Sequence, residues 1–178
     1  MWPKEKPIKE RKPRTKTPDE ALTSLMRLCA RAEKCEGDAR RLMRGWGVEA
    51  QAAEAVVARL VRDRFIDDRR YATLFVREKL NLSGWGAYKI RTALKRKEVS
   101  EEIIREALAE LDGDKLRARL DEQLKRKLRT LKAKTPYELK GKLIRYGLSL
   151  GYDYEAVLDA ASNTLNQADI PCEEYSTS

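Results

Sequence analysis

The fold is decided by three neighbouring stretches: FIDDRRYATLF (residues 65–75), SGWGAYKIRTAL (residues 83–94) and VSEEIIREAL (residues 99–108). Apolar residues recur in each stretch at the three- and four-residue spacing of an amphipathic helix, without the alternation of a half-buried strand. The sequence therefore predicts a unit of three short helices. Its expected core positions are Tyr71, Leu74, Phe75, Ile90, Leu94, Val99, Ile103, Ile104, Ala107, Leu108 and Leu111.

The same pattern occurs before and after this central unit. The first-helix positions of the preceding unit, beginning at Leu22, lie 49 residues upstream, and those of its next two helices lie 51 residues upstream. A third unit follows more loosely, with a small insertion around residues 146–150. We predict an all-α fold of three tandem three-helix repeats, and we expect the repeats to stack into an elongated, curved array because each is too small to bury its apolar faces alone. The predicted repeats are residues 19–64, 65–112 and 113–165.

Helix-start signals support these repeats. Residues 17–20 (TPDE) and 135–138 (TPYE) each place threonine at the N-cap, proline at the first helical position and glutamate at the third, the pattern of a capping box. Asp67 or Asp68 is suited to cap the first helix of the central unit, and Ser100 its third helix.

Charge is concentrated in two parts of the chain. The 178 residues hold 38 Lys and Arg against 29 Asp and Glu, for a net charge of +9. Residues 1–18 form a proline-rich basic segment that we expect to be a disordered arm, and residues 113–147 carry 12 basic and 4 acidic side chains. Residues 166–178 are expected to form a flexible acidic tail. Clustered positive charge favours an anionic partner, either nucleic acid or an acidic protein groove.

Composition excludes most enzyme designs. The chain has no histidine, which removes histidine general bases, Ser/His and Cys/His nucleophile pairs and histidine-containing zinc sites. Its three cysteines, Cys29, Cys35 and Cys172, are an odd number and are expected to be reduced thiols. We expect no enzyme activity, no cofactor and no metal site. Because no apolar run is long enough to cross a membrane, we expect a cytoplasmic protein.

Two motifs have a structural interpretation. The Gly-Trp-Gly tripeptides at 45–47 and 84–86 follow no strand and complete no nucleotide fingerprint, so they are interpreted as tight turns where one helix ends and another begins. The neighbouring carboxylates of Asp67 and Asp68 point about 100° apart on a helix and lack a third ligand, so they are interpreted as caps.

Basic side chains on predicted helix surfaces are the candidate contact residues. On the helix from about 115 to 131, a leucine stripe predicts that the basic residues on the opposite side face solvent. In the central unit, Lys89 and Arg96 are predicted to project outward, and Arg69 and Arg70 occupy a first helical turn where acids would be favoured. Tyr88 is expected to be exposed, either to stack on a base or to pack at a protein interface. The candidates are Arg69, Arg70, Lys89, Arg96, Lys115, Arg119, Lys125, Arg126 and Arg129.

The central unit resembles the RecX family of recombination regulators. The resemblance is carried by residues 65–72 (FIDDRRYA), residues 83–86 (SGWG) and residues 99–104 (VSEEII), together with Ile90 and Leu94, and it extends over roughly residues 19–165. It implies a modular all-helical protein that binds the filament of RecA recombinase on single-stranded DNA, lies in its helical groove and limits filament growth, ATP hydrolysis and strand exchange. It implies roles in DNA recombination, DNA repair and the SOS response, and no catalytic residues. The positions that carry it are expected to be structural: Asp67, Asp68, Tyr71, Trp85, Gly86, Ile90 and Leu94.

Other functions are compatible with the same pattern. Short helices in threes with basic outer faces also describe an autonomous DNA-binding protein of the helix-turn-helix type, although no helix here concentrates Arg, Asn and Gln at base-reading positions. A protein-interaction solenoid whose charge serves solubility is a third interpretation. The expected partners are the RecA filament and single-stranded DNA, bound directly or through the filament, with no membrane and a monomeric chain.

Overall fold

A computed structural model describes residues 15–167. All the regular structure in this range is helical, which confirms the predicted all-α fold class. The described helices are α1 (Pro18–Arg31), α2 (Glu36–Gly45), α3 (Ala50–Arg62), α4 (Asp68–Ser83), α5 (Ala87–Lys95), α6 (Glu101–Ala109), α7 (Gly113–Leu128), α8 (Pro136–Ser149) and α9 (Tyr154–Gln167).

The chain divides into two compact units, Met1–Asp68 (unit 1) and Arg69–Ser178 (unit 2). Unit 1 contains α1 to α3, whose apolar faces meet in a core built around Leu25, Met43 and Leu60, all fully buried. Cys35 is buried at the N-cap of α2 and Cys29 is half-buried; neither forms a disulfide within residues 15–167, and Cys172 lies outside the described residues. The described chain thus builds this core without a disulfide.

Unit 2 contains the helices from α4 to α9. Ile90, Leu94 and Ile104 are fully buried in α5 and α6, as their spacing predicts. A further core lies among α7, α8 and α9, where Leu120, Leu124, Leu143 and Val157 are buried. The three-repeat boundaries and the curved array stay predictions.

Most of the predicted helix starts are present. Thr17 and Glu20 form the complete capping box, and the Ser100 hydroxyl accepts the Ile103 N–H at 3.4 Å. At α8 only half of the box forms: the Thr135 hydroxyl accepts the Glu138 N–H, but the Glu138 carboxylate accepts the N–H of Lys134, at 2.9 Å. The helix itself begins as the motif predicts, with Thr135 at the N-cap and Pro136 as its first residue, and only the partner of the Glu138 side chain differs.

Two details differ from the sequence prediction. Leu74 was expected in the core but is 45% exposed, because the buried face of α4 follows Ala72, Val76 and Leu80 at four-residue spacing and turns away from it. At both ends, described residues also overlap the segments predicted to be an arm and a tail. Lys16 already donates its backbone N–H to Trp46 O at 3.0 Å, and α9 continues to Gln167. The remainder of the predicted arm and tail, residues 1–14 and 168–178, lies outside the described residues.

Candidate functional site

Acidic side chains of α6 and of its C-cap residue pair with two of the cations on α4. Arg69 lies 3.9 Å from Glu102 and also pairs with Glu106, while Arg77 lies 3.4 Å from Glu110. These ion pairs explain why an arginine occupies the first turn of α4, where the helix dipole alone would favour an acid. Arg70, the other candidate on this turn, is exposed.

The cations of α5 share one carboxylate of α6. Glu101 accepts from Arg91 at 3.0 Å and from Lys95 at 2.9 Å. The hydrogen bond from Lys95, with the positive charges of Lys95, Arg91 and Arg105 nearby, holds the pKa of Glu101 below its usual value. Much of the positive charge on α4 and α5 is therefore already balanced inside unit 2.

Two of the predicted outward-facing cations are held against the protein. Lys89 donates from Nζ to Ser149 O at 3.0 Å and lies 4.8 Å from the Trp85 ring centre, so it is half-buried and the prediction that it projects outward is wrong. The helical wheel missed this contact because the Ser149 carbonyl comes from a distant turn. Arg96 is exposed as predicted, and Tyr88 is 74% exposed.

Arg119 is also held against the protein, and the prediction that it faces solvent is wrong. Its guanidinium donates to Leu80 O at 3.2 Å and to Asn81 O, and it pairs with Glu122, which leaves the side chain only 22% exposed. Carbonyls at the end of a helix lack intrahelical partners and carry partial negative charge. Arg119, on α7, therefore donates hydrogen bonds to backbone carbonyls in the last turn of α4.

The second half of α7 is different, because its exposed cations form no ion pair in the described chain, although Asp121 and Glu122 lie one turn before Lys125 and Arg126. The ion pairs of α7 itself lie in its first half or beside it, as Lys115–Asp112 at 4.0 Å and Arg119–Glu122. Beyond them the chain presents four exposed cations that form no ion pair within residues 15–167. We call this set the α7 basic end: Lys125, Arg126, Arg129 and Lys132.

The Gly84-Trp85-Gly86 turn joins α5 to the turn between α8 and α9. The Gly86 N–H donates to Leu150 O at 2.8 Å, and the Tyr88 N–H donates to Gly151 O at 3.1 Å. A Cβ atom on Gly86 would lie 2.4 Å from Gly151 O, so only glycine permits this approach. The insertion that the sequence shows before Gly151 therefore supplies the carbonyls that hold the start of α5.

This joint places the exposed Tyr88 at the side of a groove of about 820 Å³ bounded by α5, α7 and the start of α9. Tyr154, Arg117, Arg91 and Lys95 also line the groove, and Tyr154 is 56% exposed. Sequence reasoning missed Arg117 and Tyr154. The position of Tyr154 at a helix start after a glycine turn was the available signal, but only the fold brings it to the groove of Tyr88.

Asp68 caps a different helix from the one expected, and a structural role for Asp67 stays a prediction. Asp68 is the first residue of α4, and its carboxylate accepts the Glu36 N–H at 2.9 Å, at the start of α2. Burial raises the pKa of Asp68 above its usual value, against the opposing effect of that hydrogen bond. Within residues 15–167, no three carboxylate or thiol groups are arranged to hold a metal ion.

Among the described helices, none combines the length and the apolar character needed to cross a bilayer.

Comparison with known proteins connects this architecture to one family. The family model "RecX, second three-helix domain" matches residues 67–108, which contain α5, α6 and nearly all of α4. The chain is 30% identical over 122 residues to "Regulatory protein RecX" of Clostridium botulinum (strain Alaska E43 / Type E3), an alignment that covers 67% of this chain and 57% of that relative. It is 31% identical over 106 residues to the protein of the same name from Stenotrophomonas maltophilia, covering 60% of this chain and 63% of the relative.

Solved structures share the fold. The crystal structure of a regulatory protein RecX superposes with a TM-score of 0.70 at 19% identity and covers 82% of this chain and 71% of that one. The crystal structure of RecX from Lactobacillus salivarius gives a TM-score of 0.68 at 17% identity and covers 84% of this chain and 96% of that one. The sequence matches and the shared all-helical fold agree with the motif at residues 65–104: this chain belongs to the RecX family of regulatory proteins.

Proposed function

We propose that this chain is a non-enzymatic regulator that binds the filament of RecA recombinase on single-stranded DNA and inhibits its growth, its ATP hydrolysis and strand exchange. It acts in the cytoplasm during recombination and DNA repair, including the SOS response. The observation that carries the proposal is the α7 basic end, where four exposed cations have no acidic partner in the described chain. Membership of a family of regulatory proteins supports it.

The charges of unit 2 differ in how available they are to a partner. Arg69, Arg77, Arg91 and Lys95 already face carboxylates of α6, so binding an anionic partner through them would require breaking those pairs. Cations of the α7 basic end have no pair to break. Like charges on one surface raise the local potential, which increases the rate of encounter with an anionic groove and its residence there.

The mechanism is steric and electrostatic. A ligand that spans neighbouring recombinase protomers hinders the conformational steps that couple them to ATP turnover. Such a ligand shifts the equilibrium between two filament states only by as much as its affinities for them differ. The regulator must therefore bind one state more tightly than the other. None of these steps requires a catalytic group on the regulator.

The test is DNA-dependent ATP hydrolysis by a bacterial RecA recombinase assembled on single-stranded DNA. Addition of the purified chain below one molecule per recombinase protomer should suppress hydrolysis, because blocking a filament end or one contact affects many protomers. Suppression that appears only when the regulator is in excess over DNA binding sites would instead indicate competition for bare DNA and would contradict the proposal.

The helix-turn-helix alternative is tested by binding to DNA alone. Contacts to phosphates release counterions, so a chain that contacts only the backbone should lose affinity steeply with salt and distinguish little between sequences. Saturable and sequence-selective binding to duplex DNA at physiological salt would favour the autonomous DNA-binding protein.

A further inference from the structure

The groove between α5, α7 and the start of α9 has the composition of a nucleotide site. Its volume of about 820 Å³ falls within the roughly 300–1,000 Å³ of typical ligand sites, and its walls include Leu116 and Leu120. Two aromatic side chains, Tyr88 and Tyr154, line it and are 74% and 56% exposed. Large exposed tyrosines beside an apolar floor offer ring faces on which another planar group can stack.

Tyr88 is held in place by the backbone. It lies in the first turn of α5, and its N–H donates to Gly151 O at 3.1 Å. Gly86, two residues earlier, donates to Leu150 O at 2.8 Å. The ring thus projects from a fixed turn into the groove region, so stacking on it would cost little ordering of the main chain.

The residues that line the groove include more cations than acids. Arg91, Lys95 and Arg117 line it together with one acid, Asp153. Arg91 and Lys95 share Glu101, whereas Arg117 is exposed and forms no ion pair within residues 15–167. A phosphate near Arg117 would therefore meet a cation that forms no ion pair in the described chain, although Arg117 also lines a neighbouring pocket with Asp121, Asp153, Glu155 and Asp159.

We infer that this groove binds one nucleotide of single-stranded DNA, with its base stacked on Tyr88 and a neighbouring phosphate held by Arg117. A single strand fits better than a duplex because its bases have free faces, and base stacking on aromatic side chains tolerates any sequence. The inference deepens the proposed function and rests on it for the choice of DNA: it assigns a direct DNA contact to a regulator that acts on a protein–DNA filament. In this arrangement the α7 basic end remains available to contact the recombinase filament.

The test compares two labelled strands of about 16 nucleotides by fluorescence anisotropy. One is oligothymidylate, and the other is an abasic deoxyribose phosphate strand of equal length, which keeps the phosphates and lacks the bases. The parent chain should bind oligothymidylate more tightly. Tyr88→Ala should weaken oligothymidylate binding by about tenfold, within the range measured for loss of one stacked base, and leave abasic-strand binding unchanged.

Two further variants control for charge and for tyrosine loss. Arg117→Ala should weaken both strands by a similar factor, because it removes a phosphate contact. Tyr137→Ala removes a tyrosine that is 87% exposed at the start of α8 and does not line the groove, so it should change neither affinity.

Several outcomes overturn the inference. Equal binding of both strands by the parent chain would do so, as would unchanged oligothymidylate binding by Tyr88→Ala. Free thymidine monophosphate competing as well as the strand, at equal base concentration, would assign the groove to a free nucleotide instead. The proposed function is judged separately by the recombinase assay. A parent that inhibits ATP hydrolysis but does not prefer bases contradicts only the inference, and Tyr88-dependent base binding without inhibition contradicts only the proposed function.

Discussion

The tripeptide Gly-Trp-Gly occurs at residues 45–47 in unit 1 and at residues 84–86 in unit 2, and its two copies hold different neighbours. The first copy ends α2. Gly45 has open space where a Cβ would lie, and Trp46 O accepts the Lys16 N–H at 3.0 Å. The Lys16 ammonium lies 3.6 Å from the Trp46 ring centre. This turn is thus in contact with the short segment that precedes α1.

In the second copy, atoms from other parts of unit 2 pack closely against both glycines. A Cβ on Gly84 would lie 2.4 Å from Gln123 Nε2, and one on Gly86 would lie 2.4 Å from Gly151 O. The first of these neighbours is a side chain of α7, and the second is backbone of the turn before α9. This turn therefore connects three parts of unit 2 and fixes where Tyr88 and Lys89 lie.

The difference shows that an identical local sequence can have unequal structural importance. Both copies interrupt a helix, which their composition alone explains. The cost of changing them depends on which atoms the rest of the fold places beside each glycine. Gly86→Ala and Gly45→Ala should therefore have opposite effects on stability, whereas Gly47 of the first copy, with φ +70 and Thr15 Cγ2 2.8 Å from the position of a Cβ, also disfavours a larger residue.

The largest effect is expected for Gly86→Ala. The added methyl group would meet the backbone of Gly151, which cannot move aside like a flexible side chain, so the free energy of unfolding should fall by about 2–3 kcal/mol. The change Gly45→Ala, at the first glycine of the other copy, adds a methyl group in open space at the end of a helix and should stabilise by up to about 0.5–1 kcal/mol. Urea unfolding followed by circular dichroism measures both. Equal effects from the two substitutions would show that the joint is not closely packed.

A smaller loss is expected for Arg119→Ala. Removing the guanidinium leaves Leu80 O and Asn81 O at the end of α4 without this donor, so the free energy of unfolding should fall by about 1–2 kcal/mol. Arg126→Ala removes an exposed cation from the same helix and should change stability by less than about 0.5 kcal/mol. If both variants unfold at the same urea concentration as the parent, the hydrogen bonds of Arg119 do not stabilise the end of α4 that leads into the Gly84-Trp85-Gly86 turn.

At the first turn, Lys16→Ala should cost only about 0.5–1 kcal/mol, because a cation over an aromatic ring contributes modestly near the surface. Lys16→Met retains most of the aliphatic stem and removes the charge, which separates packing from the cation–ring attraction. Thermal unfolding monitored by tryptophan fluorescence provides the comparison. A loss as large as that of Gly86→Ala would contradict the prediction that contacts of the first turn contribute less to stability than those of the second.

The smallest effect concerns Asp68, whose pKa is raised by burial in unit 1. A carboxyl group with a raised pKa in the folded state favours folding in its protonated form, and this contribution is lost as pH rises through the folded-state pKa. Asp68→Asn keeps an acceptor for the Glu36 N–H and removes the charge. The variant should match or exceed the parent's stability at pH 7, with the difference shrinking as pH falls. Urea unfolding of both proteins, from pH 7 downward, measures this difference. The prediction is contradicted if acidification lowers the parent's free energy of unfolding relative to that of the variant.

Local patterns in the sequence were sufficient to predict the helices, the buried positions Ile90, Leu94 and Ile104, and the Ser100 cap. These features depend on spacing and on residues three or four positions apart. The predictions failed for Lys89, Arg119 and Leu74. The two cations bind carbonyls supplied by distant turns, and Leu74 follows a helix face whose direction is set by tertiary packing.

The same reasoning explains what could be predicted of the candidate site. Sequence identified Lys125, Arg126 and Arg129 because a leucine stripe defines the opposite face of α7. It could not separate them from Arg69, which is paired with acids of α6 that lie more than thirty residues away. It also could not bring Tyr88, Arg117 and Tyr154 to one groove, since their proximity arises from the packing of α5, α7 and α9.

The most direct test of the central claim is recombinase ATP hydrolysis measured with a variant in which Lys125, Arg126 and Arg129 are replaced together by alanine. We expect its inhibition to weaken about tenfold or more at low salt, with the difference shrinking at high salt and with stability nearly unchanged. The control, Arg27, Arg31 and Arg44→Ala, removes the same charge from exposed positions of unit 1 and should inhibit nearly as well as the parent. Equal inhibition by the α7 variant and the parent at low salt would contradict the assignment of the α7 basic end as the contact surface.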